Sequence, residues 1–250
     1  MIDLRDDWEF NVLGIYNYRK TGPFDVLFDF VRQNHKLIEG DIVEAGVYRG
    51  SSLIGLAMLL KELGSDKKVY GYDSFAGFPP IYDANDGLEK FEELHAQGRI
   101  SRAHVEAVRR NMRWRQQLSG IPVNSSNVSS SGDFSGTSLA MVKKKIEIAD
   151  LDNIVLVDGM FSETMVPTAP QPAKVMAVLM DCDLYQSYLD TFAFVWPRLS
   201  KNGMIYLDEY YSLKFPGAKI ATDEFLQANG GELTMAPQKP GDFERWYITK

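Results

Sequence analysis

Five short apolar runs limit what this chain can become. They are Asp41–Gly46 (DIVEAG), Val69–Asp73 (VYGYD), Ile154–Asp158 (IVLVD), Val175–Asp181 (VMAVLMD) and Met204–Asp208 (MIYLD). Each is too short for a helix, rich in β-branched or aliphatic residues, and uninterrupted by polar positions on one face. Continuous runs of this length are the pattern of strands covered on both sides. Helical spacing lies between them. Ser51–Leu63 places apolar residues at 53, 54, 56, 57, 59, 60 and 63, and Gly64 stops it. Tyr185–Leu199 and Gly217–Ala228 carry the same period. Strand alternating with helix predicts a doubly wound α/β fold with a mostly parallel sheet. Two further runs, Glu232–Met235 and Phe243–Thr249, predict a C-terminal antiparallel hairpin joined through Pro237 and Pro240–Gly241, for seven strands in all.

Residues 84–118 break the rhythm and read as one or two polar helices. Residues 124–138 (NSSNVSSSGDFSGTS) are Ser/Gly-rich, which predicts a mobile loop, either a lid or a plain disordered connection. No internal repeat and no linker between two cores is visible. The expectation is a single domain over residues 1–250 with an insertion at about 81–138.

Four of the five runs end in an acid, and ligands of open α/β sheets bind at the carboxyl ends of the strands. The first run continues as VEAGVYRGSS, residues 43–52. Strand, glycine turn and helix form the nucleotide-fingerprint position, but the spacing is Gly46-x-x-x-Gly50, with Tyr48 where a dinucleotide requires glycine. That disfavours a nicotinamide cofactor and tolerates one without a pyrophosphate, such as S-adenosylmethionine. A purely structural turn explains the glycine pair equally well. Asp73 stands where a carboxylate can accept from both ribose hydroxyls. Phe75 or Phe78 can pack on an adenine face or belong to the core. Asp158–Gly159 offers a further contact. Each acid alone can instead cap a helix.

The fourth run ends in LMDCDLYQS, residues 179–187, and the fifth in Asp208–Glu209. If those strands are neighbours, four carboxylates meet on one rim. Two like charges about 4 Å apart repel by roughly 4 kcal/mol at an effective dielectric near 20. Such a cluster takes up protons or binds a cation, and an all-oxygen set suits Mg²⁺, Ca²⁺ or Mn²⁺. The competing readings are an N-cap role for Asp183 and solvated strand ends for Asp208 and Glu209. Cys182, the chain's single cysteine, should point away from its flanking aspartates and serve as packing.

The net charge is −7, which argues against nucleic acid. No run approaches the roughly 18 apolar residues of a membrane helix. The N-terminus, MIDLRDDWEF, resembles neither a signal nor a transit peptide, and one cysteine fits a reducing compartment, so the cytoplasm is expected. Between Arg99 and Arg115 stand six arginines and one acid, Glu106. They form a solvated helix face, a site for an anionic acceptor, or a contact between copies of the chain.

The stretches VEAGVYRGSS, YDSFAGFP, DGMFSETM, MDCDLYQSYLD, PRLSKNGMIYLDEY and GAKIATDEF, taken in order over about residues 41–226, make the chain similar to the macrocin O-methyltransferase family. Residues 81–133 diverge. The resemblance implies a class I, S-adenosylmethionine-dependent methyltransferase fold with a bound Mg²⁺, acting on a hydroxyl of a sugar, a glycosylated metabolite or another vicinal diol. By the family pattern Asp181, Asp208 and Glu209 match the metal ligands and Asp183 the general base. Glu44, Gly46, Tyr48, Gly50, Ser51, Ser52, Asp73, Ser74, Phe75, Ser138, Asp158, Gly159, Phe161 and Asp181 fall at cofactor-contacting positions. The chain departs from the family at Glu209, where aspartate is usual. The competing functions are a nicotinamide-dependent oxidoreductase and a non-catalytic S-adenosylmethionine-binding protein.

Overall fold

The structure is a computed structural model that describes residues 1–80, 82–238 and 243–250. Its strands are β1 (Asp41–Ala45), β2 (Val69–Asp73), β3 (Ile154–Asp158), β4 (Val175–Met180), β5 (Leu199–Leu207), β6 (Glu232–Met235) and β7 (Trp246–Thr249). They form one seven-stranded sheet in the order β3-β2-β1-β4-β5-β7-β6. β1 to β5 run parallel, and β7 pairs antiparallel with both β5 and β6. The expected doubly wound sheet with a C-terminal hairpin is therefore present. β7 begins three residues later than the Phe243 predicted from sequence, and Pro240–Gly241 lie outside the described residues.

The helices are α1 (Asp7–Leu13), α2 (Asp25–Asn34), α3 (Ser51–Glu62), α4 (Lys90–Ala96), α5 (Arg102–Ser119), α6 (Leu139–Ala149), α7 (Phe161–Thr164), α8 (Tyr185–Val195) and α9 (Pro216–Asn229). Strand alternation divides the core between two faces. Ile42, Ala177, Leu179 and Tyr206 face α2 and α3. Val43, Val178, Met180, Ile205 and Leu207 face α8 and α9. Every side chain of β4 is fully buried, as expected of the central strand. No helix among the described residues is long and apolar enough to cross a membrane.

The strand order reverses between β1 and β4, which lie side by side although β2 and β3 intervene in sequence. In such folds the crevice beyond the strand ends opens at this switch point. The registers Ala45↔Met180 and Met180↔Leu207 bring Gly46, Asp181 and Asp208 to one rim.

The Ser/Gly-rich segment is not a free loop. The Arg115 guanidinium donates to the carbonyls of Asn127 (3.3 Å) and Ser129 (2.7 Å). The Phe78 amide donates to the Asp133 carbonyl at 2.8 Å, the Arg49 guanidinium to that of Gly136 at 2.9 Å, and the Thr137 hydroxyl to that of Tyr48. Val128 is buried with Leu184 and Phe215. A few apolar residues and many backbone acceptors pin a stretch whose composition alone reads as mobile.

Candidate active site

A cleft with about 680 Å³ of empty space opens at the switch point. Of the residues singled out from sequence, Gly46, Tyr48, Asp73, Ser74, Phe78, Gly159, Phe161, Asp181, Cys182 and Asp183 line it, joined by Phe134 and Met160. The Tyr48 and Phe134 rings meet edge to face at 5.2 Å, so the Ser/Gly-rich segment supplies part of the aromatic wall.

The glycine turn is built by Asp73. Its Oδ2 accepts from the amides of Val47 (2.8 Å) and Tyr48 (2.7 Å), and its Oδ1 from that of Phe75 (2.6 Å). A carboxylate has about four acceptor positions, so three are used by the protein and one is left over. That differs from the expectation of a carboxylate free for two ribose hydroxyls. Gly46 has φ +91°, and a Cβ there would lie 1.9 Å from the Asp181 carbonyl oxygen. Its glycine identity is set by the close approach of the β1 and β4 ends.

Several expected contacts do not line the cleft. Phe75, at φ +49°, turns its ring into the core, and Phe78 takes the place in the cleft. Ser138 accepts from the Met141 amide at 3.2 Å as the N-cap of α6. Gly50 is the N-cap of α3 at φ +75°, and Ser51 opens that helix, its carbonyl accepting from the Tyr16 amide. Asp158 is exposed at the end of β3. Ser52 donates at 2.7 Å to Oε1 of the fully buried Glu44. Among the described residues Glu44 Oε2 has no hydrogen-bond partner, and burial raises the carboxyl to about 8.

The carboxylates converge as the strand register dictates. Ligand oxygens of Asp181, Asp208 and Glu209 lie within 4.8 Å of one another. Burial, and then the charges of Asp208, Asp183 and Glu209, push the Asp181 carboxyl well above the usual range. Burial and Glu209 do the same to Asp183, which is 4% exposed. Burial and Glu209 also raise Asp208. Asp183 sits in the left-handed region at φ +59°, a conformation aspartate tolerates better than most residues and one that gathers at functional sites. Cys182 lies between them in the core, its thiol 3.8 Å from the Thr191 hydroxyl, and burial holds the thiol well above its ordinary range. That environment fits packing and not a nucleophile.

Two cations absent from the sequence reading complete the cluster. Lys214 Nζ lies 2.8 Å from Glu209 Oε1 and Arg245 Nε lies 3.0 Å from Asp208 Oδ1. Burial alone would lower the Lys214 ammonium, but Glu209 and Asp183 hold it above its ordinary range. The pairing Leu207↔Trp246 explains Arg245, which must stand across from Asp208. Tyr188, fully buried, donates to the Met180 carbonyl (3.3 Å) and accepts from the Glu209 amide (3.4 Å), tying the two acid-bearing loops. Tyr16 approaches from the N-terminal segment. Burial and the charges of Asp181 and Asp208 raise its phenol.

Four carboxylates against two paired cations leave a surplus of negative charge, and Asp181 has no hydrogen-bond donor on its carboxyl among the described residues. The all-oxygen donor set fits a hard divalent cation. The arginine segment, by contrast, is largely absorbed by the protein. Arg99 pairs with Asp223, Arg102 with Glu106 and Arg109 with Glu92.

The sequence profile of the macrocin-O-methyltransferase (TylF) family matches residues 23–118 and 125–236. Mycinamicin III 3''-O-methyltransferase of Micromonospora griseorubida is 30% identical over 197 residues, 77% of this chain and 63% of that protein. Demethyldecarbamoylnovobiocin O-methyltransferase of Streptomyces niveus is 28% identical over 190 residues, 75% of this chain and 58% of that protein. The chain thus spans less than two thirds of the length of these relatives. The solved structure of the O-methyltransferase NovP superposes with a TM-score of 0.62 at 23% identity, over 90% of this chain and 79% of that one.

Proposed function

The chain belongs to the macrocin O-methyltransferase family, and on that premise we propose that it transfers the methyl group of S-adenosylmethionine to a hydroxyl of a sugar or glycosylated metabolite, aided by a divalent cation such as Mg²⁺. One observation carries this reading: Asp181 and Asp183 line the switch-point cleft, and behind them Asp181 gathers with Asp208 and Glu209 into one all-oxygen cluster.

In this reading Gly46, Tyr48, Asp73, Ser74, Gly159 and Phe161 bind the methyl donor, and Phe78 and Phe134 shield it from water. Asp181, Asp208 and Glu209 would hold the cation, which supplies acidification and orientation of two neighbouring acceptor oxygens. Asp183 takes the proton of the attacking hydroxyl. Burial raises its affinity for a proton, which suits a general base. The hydroxyl oxygen forms the new bond to the methyl carbon as the carbon–sulfur bond breaks, leaving S-adenosylhomocysteine. Holding donor and acceptor in line provides much of the remaining acceleration. The whole chain acts as one domain, with residues 81–138 forming the acceptor side. The single buried thiol fits a reducing compartment.

Tyr48 at the position where a dinucleotide needs glycine supports S-adenosylmethionine over NAD. Calorimetric titration of the two ligands tests this. S-adenosylmethionine is expected to bind and NAD not to; the reverse pattern would end the reading. A chelator is expected to stop turnover, and unchanged turnover would remove the cation from it.

A further inference from the structure

Helix α8 begins two residues after Asp183, and its start lacks a cap of its own. The N-cap residue is Leu184, whose side chain accepts nothing. The first turn of a helix leaves amide donors without intrahelical partners. The first of these, the Tyr185 amide, donates to Oδ1 of Asp86 at 2.8 Å, across 99 positions of sequence. Asp86 is 2% exposed and closes the 3-10 turn Ala84–Asp86 in the insertion. Its carbonyl accepts from the Ser125 hydroxyl at 2.7 Å, so the two arms of the insertion meet at this residue. The start of α9 closes the third side. A Cβ on Gly217 would lie 2.0 Å from Asp86 Oδ1 and 2.8 Å from the Tyr185 nitrogen, so only glycine leaves the carboxylate its place. That helix follows the loop that carries Glu209 and Lys214. One buried carboxylate therefore joins the insertion, the segment bearing Asp183, and the exit of the metal-side loop.

We propose that Asp86 is a positioning residue for Asp183: it caps α8 from the insertion and thereby holds the left-handed turn at Asp183 in register with the cleft. This rests on the reading of Asp183 as the proton acceptor. The physical requirement is an acceptor oxygen at the Oδ1 position, not a charge. An amide at the same place keeps it, and a methyl group does not. Displacing a catalytic group by a fraction of an ångström to one ångström is enough to slow a reaction strongly without loosening a donor bound elsewhere.

The test uses the full chain with three substitutions, Asp86→Ala, Asp86→Asn and Gly217→Ala. The readouts are kcat, KM for S-adenosylmethionine, and hydrogen exchange of the peptide covering residues 181–188. Asp86→Ala is expected to lower kcat about 10- to 100-fold, to leave KM for the methyl donor within about twofold, and to speed exchange in 181–188. Asp86→Asn should restore kcat to near wild type. Gly217→Ala should reproduce the loss, and combining it with Asp86→Ala should add little, because both break the same contact. A lower melting temperature with kcat and 181–188 exchange unchanged would overturn the proposal, as would an Asp86→Asn enzyme as impaired as Asp86→Ala. If Asp86→Ala does not fold, the Asn and Gly217 variants carry the same test. A wild type without methyl-transfer turnover would overturn the Asp183 reading instead, and the exchange measurement would still decide whether Asp86 holds the segment.

Discussion

Replacing Asp181 by asparagine should make the metal-free protein more stable while weakening its hold on a cation. The ligand oxygens of Asp181, Asp208 and Glu209 lie within 4.8 Å of one another. At an effective dielectric near 20 each such contact costs about 3.5 kcal/mol. Two contacts are removed by Asp181→Asn, about 7 kcal/mol before pairing and proton uptake are counted. Lys214 on Glu209 and Arg245 on Asp208 already neutralise part of that repulsion. Proton uptake by Asp181, whose carboxyl burial and its neighbours raise, relieves more. A net stabilisation of about 2–4 kcal/mol at pH 8 remains. Because the folded protein holds this proton more tightly than the unfolded chain, the wild type loses stability as pH rises above the ordinary carboxylate range. The advantage of asparagine should therefore grow from pH 5 to pH 8. Urea unfolding in chelator at the two pH values measures it, and calorimetry with Mn²⁺ should show affinity weakened by at least about 10-fold, since ligand charge sets the affinity of such sites. A destabilised Asp181→Asn protein at pH 8, or one that binds Mn²⁺ as tightly as wild type, would refute the reasoning.

Three further outcomes are expected. Asp73→Asn cannot satisfy the Val47 and Tyr48 amides on one side and the Phe75 amide on the other, so in its best orientation it should cost about 1–3 kcal/mol in urea unfolding; a change within error would show that the turn holds itself. Burial, and then the charge of Asp83, raise the Asp86 carboxyl to about 6, so stability should fall as pH rises from about 4 to about 6 and stay lower above. Asp86→Asn should then be more stable than wild type by up to about 3 kcal/mol at pH 8 and equal to it near pH 4, and a pH-independent difference would contradict this. Gly46→Ala should lose about 2–4 kcal/mol, because a Cβ meets the Asp181 carbonyl and φ is +91°; a melting temperature equal to wild type would show that the strand ends are free to part.

Much of the fold is legible because buried parallel strands write themselves as apolar runs. β2 and β3 have the bounds their runs suggest, and β4 stops one residue short at Met180. Helix α1 left no comparable mark, and α2 carries the helical period only at Leu27, Phe28 and Val31. They have seven and ten residues, and helices this short depend on tertiary packing more than on their own sequence. The carboxylate cluster was readable because it needs only two neighbouring strand ends. Its cations were not: Lys214 comes from the loop before α9, and Arg245 from a return strand whose register only the assembled sheet defines. Phe75 and Phe78 could not be told apart for a similar reason, since a positive φ at Phe75 decides which ring enters the cleft. Asp86 was hidden because its partner is a backbone amide 99 residues away.

The central claim is that Asp183 takes a proton from an acceptor bound beside S-adenosylmethionine. The most direct measurement compares wild type and Asp183→Asn across a panel of glycosides with Mg²⁺, reading S-adenosylhomocysteine release together with calorimetric affinity for S-adenosylmethionine. The account predicts a methylated sugar from the wild type. It also predicts that Asp183→Asn binds the methyl donor within about twofold of wild type and transfers at least about 100-fold more slowly. An Asp183→Asn protein that transfers methyl at the wild-type rate would contradict it.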